Sequence, residues 1–202
     1  KKVFKAVKQL TNVQVPFKDL KKNYQINVLL ETLKKINLIS KKLSDKKNNV
    51  ISENDVLKLQ KKYDHDQKCQ DLKNLFNKYG SGSKSSYVYI YCEIFKNFKI
   101  KSLLEIGLGT NNINLRSNIG IDGKPGGSLR AFRDYLKINV YGADVDKKIL
   151  FKEEKISTYF VDQLDISSIR NLKENIPKVD LIIDDGLHQP DANLNVILEK
   201  GY

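Results

Sequence analysis

Methionine is missing from all 202 residues, the first position included, so the sequence reads as a trimmed piece of a longer protein or one whose start was removed. Cysteine is almost missing: Cys69 and Cys92 are the only two, and neither stands in a C-x-x-C or Cys/His spacing that would hold zinc. Two buried free thiols are the expected state, with one disulfide as the alternative. No run approaches the roughly eighteen uncharged apolar residues that a membrane span needs. The start, "KKVFKAVKQL", has neither the long apolar centre nor the small-residue cleavage site of a secretory signal. A soluble, cytoplasmic protein that engages no membrane is expected.

Arginine is scarce as well. Of 36 basic residues only Arg116, Arg130, Arg133 and Arg170 are arginine, whereas readers of phosphate and base edges favour the arginine fork. The net charge of +12 would suit a polyanion. Yet the lysines spread along the whole chain with many Asn and Ile, a joint bias that fits an AT-rich genome. Nucleic acid is therefore not the expected partner. A noncatalytic module or inactive fragment, binding nucleic acid or a protein through a basic helical arm, stays open as the alternative, and so does a homo-oligomer. Histidine is the last scarcity: His65, in "KYDHDQKCQ", reads as a solvated helix residue, which leaves His188.

A hydrophobic share of 40% permits a real core. Residues 1–77 read as a helical accessory segment, with Ile26, Leu29, Leu30, Leu33, Ile36 and Leu38 at helical steps and Ser52 as an N-cap. From Lys78 a Gly/Ser loop, "KYGSGSKSS", opens a second zone over 78–202. Four strand-like runs follow there, at 102–107, 139–144, 157–162 and 180–185, with amphipathic segments such as "SLRAFRDYL" and "SSIRNLKENI" between them. Strands alternating with helices indicate parallel βαβ units. The expected fold is α/β, a Rossmann-like doubly wound, mostly parallel sheet.

Each strand run ends in a glycine or an acid, and in such sheets the ligand crevice lies outside the carboxyl ends of the strands. Gly107 and Gly109 form a G-x-G turn after the first strand. Asn112 stands where a dinucleotide fingerprint needs a third glycine, which argues against a nicotinamide oxidoreductase. Asp144 ends the second strand, where a carboxylate accepts both hydroxyls of a ribose. Asp162 and Gln163 follow the third, where they would read an adenine edge. Some eighteen residues, "TNNINLRSNIGIDGKPGGSLRAF", occupy a connection that needs only a few. Ser128 is the expected N-cap of the next helix. Arg130 and Arg133 share a face of that helix, and an anionic ligand or a surface ion pair would suit them equally.

The runs "LLEIGLGTNN", "SNIGIDGKPGGSLRAFRDYL", "VYGADVDKKILF", "TYFVDQLD" and "DLIIDDGLHQPDAN" resemble the class I S-adenosylmethionine-dependent methyltransferases. Among these they are most similar to the cephalosporin-hydroxylase-like and macrocin-type O-methyltransferase branch. The likeness covers roughly Lys78 to Leu198. It implies that Glu105, Gly107 and Gly109 flank the methionine part of the cofactor, S-adenosylmethionine. It also implies that Asp144 holds the ribose and that Asp162 and Gln163 lie near the adenine, with Asp184 completing the cofactor side. The D-D-G-x-H stretch implies Asp185 as a catalytic and metal-binding carboxylate, with Mg2+ as the metal, and His188 as the base. A small-molecule or glycan hydroxyl is the implied acceptor. Two departures stand out. "YGSGSKSSY" replaces the family's G-[ST]-D-K run. The acidic pair that completes the family's metal site, after one further strand, has no counterpart before Tyr202, so the sheet is expected to be truncated at its C-terminal side.

Overall fold

The computed structural model describes residues 53–199. The helical face at Ile26 to Leu38 and the N-cap at Ser52 lie outside them. Two helices come first, α1 (Glu53–Tyr63) and α2 (Gln67–Lys78). A 3-10 turn (Gly82–Tyr87) then leads into α3 (Val88–Asn97). The sheet region runs β1 (Ser102–Ile106), α4 (Gly127–Leu136), β2 (Asn139–Asp144), β3 (Lys152–Glu153), β4 (Ile156–Phe160), α5 (Ile166–Asn175), β5 (Leu181–Asp184) and α6 (Pro190–Glu199). Asp66 starts α2 by accepting the Lys68 and Cys69 N–H groups, and Asp165 starts α5 by accepting that of Ser167, each satisfying donors a helix end leaves orphaned.

The strand order is β3-β4-β2-β1-β5, parallel throughout except for the short β3, which runs antiparallel to β4. Leu103 of β1 pairs with Val140 on one side and Leu181 on the other. The chain thus builds outward from β1 through β2 to β4 and returns to place β5 on the other flank of β1. That reversal creates a crevice over the carboxyl end of β1. All four strands read from the sequence form, within two residues of their expected bounds.

Alternation along β1 sends Leu103 into one apolar layer and Leu104 and Ile106 into the other, as the period of a strand requires. The first layer, with α2, α3 and α4, holds Leu72, Phe76, Leu129 and Phe132. The second, with α5 and α6, holds Ile169, Leu172 and Val196. Tyr63, Cys69, Leu72 and Phe76 belong to the same buried cluster as Leu103 and Val140. The apolar faces of α1 and α2, at the end of the segment expected to be accessory, are thus buried together with residues of the sheet.

Three expectations are corrected. Cys69 and Cys92 form a disulfide rather than two free thiols. Packing of α2 against α3 brings their Cα atoms to 5.9 Å, inside the range a disulfide spans. Ser128 is not the N-cap of α4, since the left-handed Gly126 takes that place and the Ser128 hydroxyl turns inward. His65 sits exposed in the turn between α1 and α2 rather than in a helix.

Candidate active site

The carboxyl ends of the parallel strands meet at a cavity of about 280 Å3, lined by Gly107, Arg116, Asp144, Asp162, Gln163 and Leu187 among others. Four of the residues expected around the cofactor thus border one space. Gly107 makes the tight turn out of β1 at φ +92, and a Cβ there would collide with the Asp185 carbonyl. Only glycine lets the β1 and β5 ends approach so closely. Asp144 is buried at the end of β2. Its Oδ2 accepts the Leu108 N–H at 2.7 Å and its Oδ1 the Asp146 N–H at 2.9 Å, tying the glycine turn to β2. A carboxylate has about four lone-pair sites, so these two bonds leave capacity for a pair of hydroxyls.

The glycine loop is braced from below. The Thr110 hydroxyl donates to Asp146 at 2.5 Å, and with the Lys148 N–H this holds the Asp146 carboxyl below its ordinary range. Asp162, in the loop after β4, accepts the Leu164 N–H at 2.9 Å.

Glu105, Gly109 and Asp184 do not line the cavity. Glu105 is fully buried and points to the opposite face of β1 from Leu104 and Ile106. There it accepts the Ser128 hydroxyl and ion-pairs with Lys84. Both of its oxygens thus have partners inside the protein. Gly109 turns at φ +76 against the Ile119 side chain. Asp184 accepts the Gln163 amide at 2.8 Å and the Asn193 amide at 3.1 Å. Gln163 likewise has its carbonyl oxygen taken by the Leu187 N–H at 2.7 Å, which leaves little of this side chain for reading an adenine edge.

Lys84 escaped the sequence reading. The residue is 8% exposed, and its ammonium joins Glu105 to Asp185, donating to Asp185 Oδ2 at 2.6 Å. Burial works against its charge, but Glu105 foremost, then Tyr91 and Asp185, hold its pKa above the ordinary lysine value. The available signal was that Lys84 is the one charge in "YGSGSKSSY". Asp185 is half-exposed, and its Oδ1 lies 3.8 Å from His188 Nε2, so the pair attracts only when the imidazole is protonated. Asp185 and His188 are thus neighbours on either side of Gly186 and Leu187, which border the cavity. Among the described residues no three His, Cys, Asp or Glu side chains converge as a metal site.

Arg130 and Arg133 are taken by structure. Arg130 clasps Glu153 with both Nε and Nη2 and stacks on Phe151, while Arg133 pairs with Asp134 and Glu153. Arg116 differs: it is exposed on the long loop, borders the cavity, and forms no ion pair among the described residues. No helix among the described residues is long and apolar enough to cross a membrane.

No family profile matches the chain. Over 108 residues it is 33% identical to an 8-demethyl-8-alpha-L-rhamnosyl tetracenomycin-C 2'-O-methyltransferase of Streptomyces olivaceus, covering 51% of this chain and 26% of that protein. Among solved structures it resembles the MycE methyltransferase of the mycinamycin biosynthetic pathway in complex with Mg and SAH, at 25% identity and a TM-score of 0.52, over 63% of this chain and 34% of that one. The same enzyme with Mg, SAH and mycinamycin VI matches at 24% identity and a TM-score of 0.52, which supports the fold. The chain therefore spans about a quarter of the curated relative and a third of the solved one. Both comparisons uphold the resemblance to S-adenosylmethionine-dependent O-methyltransferases of the macrocin-type branch, and the fold is that of the Rossmann-like methyltransferases.

Proposed function

We propose that this relative of the S-adenosylmethionine-dependent O-methyltransferases binds that cofactor in the cavity over β1 and serves methyl transfer to a hydroxyl of a sugar or glycan acceptor. The observation that carries the reading is the buried Asp144 carboxylate at the end of β2, bonded to the glycine turn and bordering the same cavity as Asp162. Asp144 would accept the ribose hydroxyls, the Gly107 turn would lie under the methionine part, and Arg116 would offer its fork to the carboxylate. Asp162 would border the adenine. Bound there, S-adenosylmethionine would supply a sulfonium methyl group open to in-line attack by the acceptor oxygen.

His188 would take the proton from that oxygen, imidazole being the side chain that accepts protons near neutral pH. Asp185, 3.8 Å from the ring, would stabilise the charge His188 gains. Lys84 holds the other Asp185 oxygen and keeps the carboxylate in place. Asp185 is the carboxylate that would face a divalent ion such as the Mg of the solved relative. Among the described residues Asp185 is the carboxylate that would contribute to such a site, and an ion there would supply Lewis-acid polarisation of the acceptor hydroxyl.

The test is methyl transfer from labelled S-adenosylmethionine to deoxysugar glycosides. In the intact protein, His188→Gln is expected to lower kcat by about a hundredfold or more, the usual weight of general base catalysis, with binding of S-adenosylhomocysteine unchanged. Unchanged turnover in that variant would remove His188 from the mechanism.

A further inference from the structure

Gln163 is 6% exposed and stands between two loops that the sequence reading assigned to different ends of the site. Its Oε1 accepts the Leu187 N–H at 2.7 Å, and its Nε2 donates to Asp184 Oδ1 at 2.8 Å. The other Asp184 oxygen accepts from Asn193 of α6 at 3.1 Å, and the Gln163 backbone carbonyl accepts from Asn195 of α6 at 3.1 Å. The loop after β4, the end of β5 and α6 are thus stitched together through Gln163 and Asp184. Gly186 fits the same arrangement, because a Cβ there would collide with Gln163 Oε1.

The stitch bears on the residue after Leu187. With its side chain 70% exposed, His188 has little packing to hold its ring, so the ring's place follows from its backbone. The nearest anchor of that backbone to the cavity is the Leu187 N–H bond to Gln163. Gln163, Gly186 and Leu187 all border the cavity. A ligand filling it would exclude water from that bond, and hydrogen bonds strengthen as the local dielectric falls.

We propose that Gln163 is a positioning residue that couples occupancy of the cofactor cavity to the placement of His188. This rests on the cofactor reading above. A glutamine is required because the two partners are of opposite kind, a donor in Leu187 N–H and an acceptor in Asp184. Glutamate would set two acceptors against each other, and leucine would satisfy neither.

The experiment is amide hydrogen exchange across residues 185–189 in the full chain, with and without saturating S-adenosylhomocysteine, for wild type and Gln163→Leu. Saturation removes any difference in affinity from the comparison. Without ligand, Leu187 exchange is expected to rise about tenfold in the variant, the weight of one hydrogen bond. The Gly107 amide, bonded to the Ala143 carbonyl at 2.8 Å, should keep its rate. With ligand, the wild-type Leu187 and His188 amides should slow by a further several-fold, and those of the variant should not. Gln163→Asn, one methylene too short to reach both partners, gives the same comparison if the leucine variant does not fold. Equal ligand-induced slowing in wild type and variant would overturn the coupling, as would a wild type that binds the ligand with no slowing at Leu187. A wild type that gives no binding heat with S-adenosylhomocysteine would instead overturn the cofactor reading.

Discussion

Single residues decide what the cavity can hold. Arg116 is a guanidinium on the cavity wall with no carboxylate partner among the described residues, and the anionic group of S-adenosylmethionine is its amino-acid carboxylate. Arg116→Ala is expected to weaken S-adenosylhomocysteine by about tenfold, the loss of a charge-assisted hydrogen bond. Binding of 5′-methylthioadenosine, which lacks the amino-acid part, should stay within about twofold by the same reasoning. Calorimetry with the two ligands checks this, and equal weakening of both would place Arg116 on the nucleoside instead. At this scale, position along the strands made Gly107, Asp144 and Asp162 readable, because a strand end in a parallel sheet has a known address. Side-chain partners were not readable. Gln163 finds Leu187 and Asp184 more than twenty residues away, and Lys84 finds Asp185 across 101 positions. Such distances leave no periodic trace in the chain. The partners of Glu105 were hidden for the same reason: Lys84 and Ser128 meet it from 21 and 23 positions away.

Elements are held by layers that the sequence marks with apolar spacing. The four parallel strands were legible as apolar runs stopping at polar residues, and α4 and α5 as amphipathic segments between them. β3 was not, since its two residues, Lys152 and Glu153, carry no apolar signal and pair only through the antiparallel edge of β4. The placement of α1 and α2 was also hidden, because helical spacing tells which face is buried and not what buries it. Phe132 of α4 shows the answer: it is fully buried and makes edge contacts to Phe76 of α2 and to Tyr91 and Phe95 of α3, at 5.4, 5.2 and 6.0 Å. One side chain therefore locks three helices together. Phe132→Ala is expected to cost about 3–5 kcal/mol in urea unfolding, as core aromatic truncations do. Leu57→Ala, at a half-exposed site on α1, should stay within about 0.5 kcal/mol. A small effect at Phe132 would mean that α2 and α3 do not share the core of the sheet domain.

For the whole molecule, several carboxylates are tied down at once. Asp134 is lowered despite its burial by bonds from Tyr79 and Arg133, Asp146 by the Thr110 hydroxyl, and Glu153 chiefly by Arg130. A carboxyl whose folded pKa lies below its unfolded value binds more protons when unfolded, so its contribution to stability is present above the unfolded value. The unfolded values are 3.8 for the aspartates and 4.5 for the glutamate. Stability set by these groups should therefore hold from neutrality down to about pH 4.5 and fall steadily below it. Thermal melts between pH 3 and pH 7 check this, and a midpoint that does not fall in acid would contradict the ion pairing described.

The central claim, that the cleft over β1 holds S-adenosylmethionine with Asp144 on its ribose, is tested most directly by calorimetric titration of the folded chain with S-adenosylhomocysteine. The account predicts saturable binding of one ligand per chain, weakened about tenfold or more in Asp144→Asn, which keeps an acceptor for the Leu108 N–H but gives up the carboxylate charge. No binding by the folded chain, or equal affinity in that variant, would contradict it.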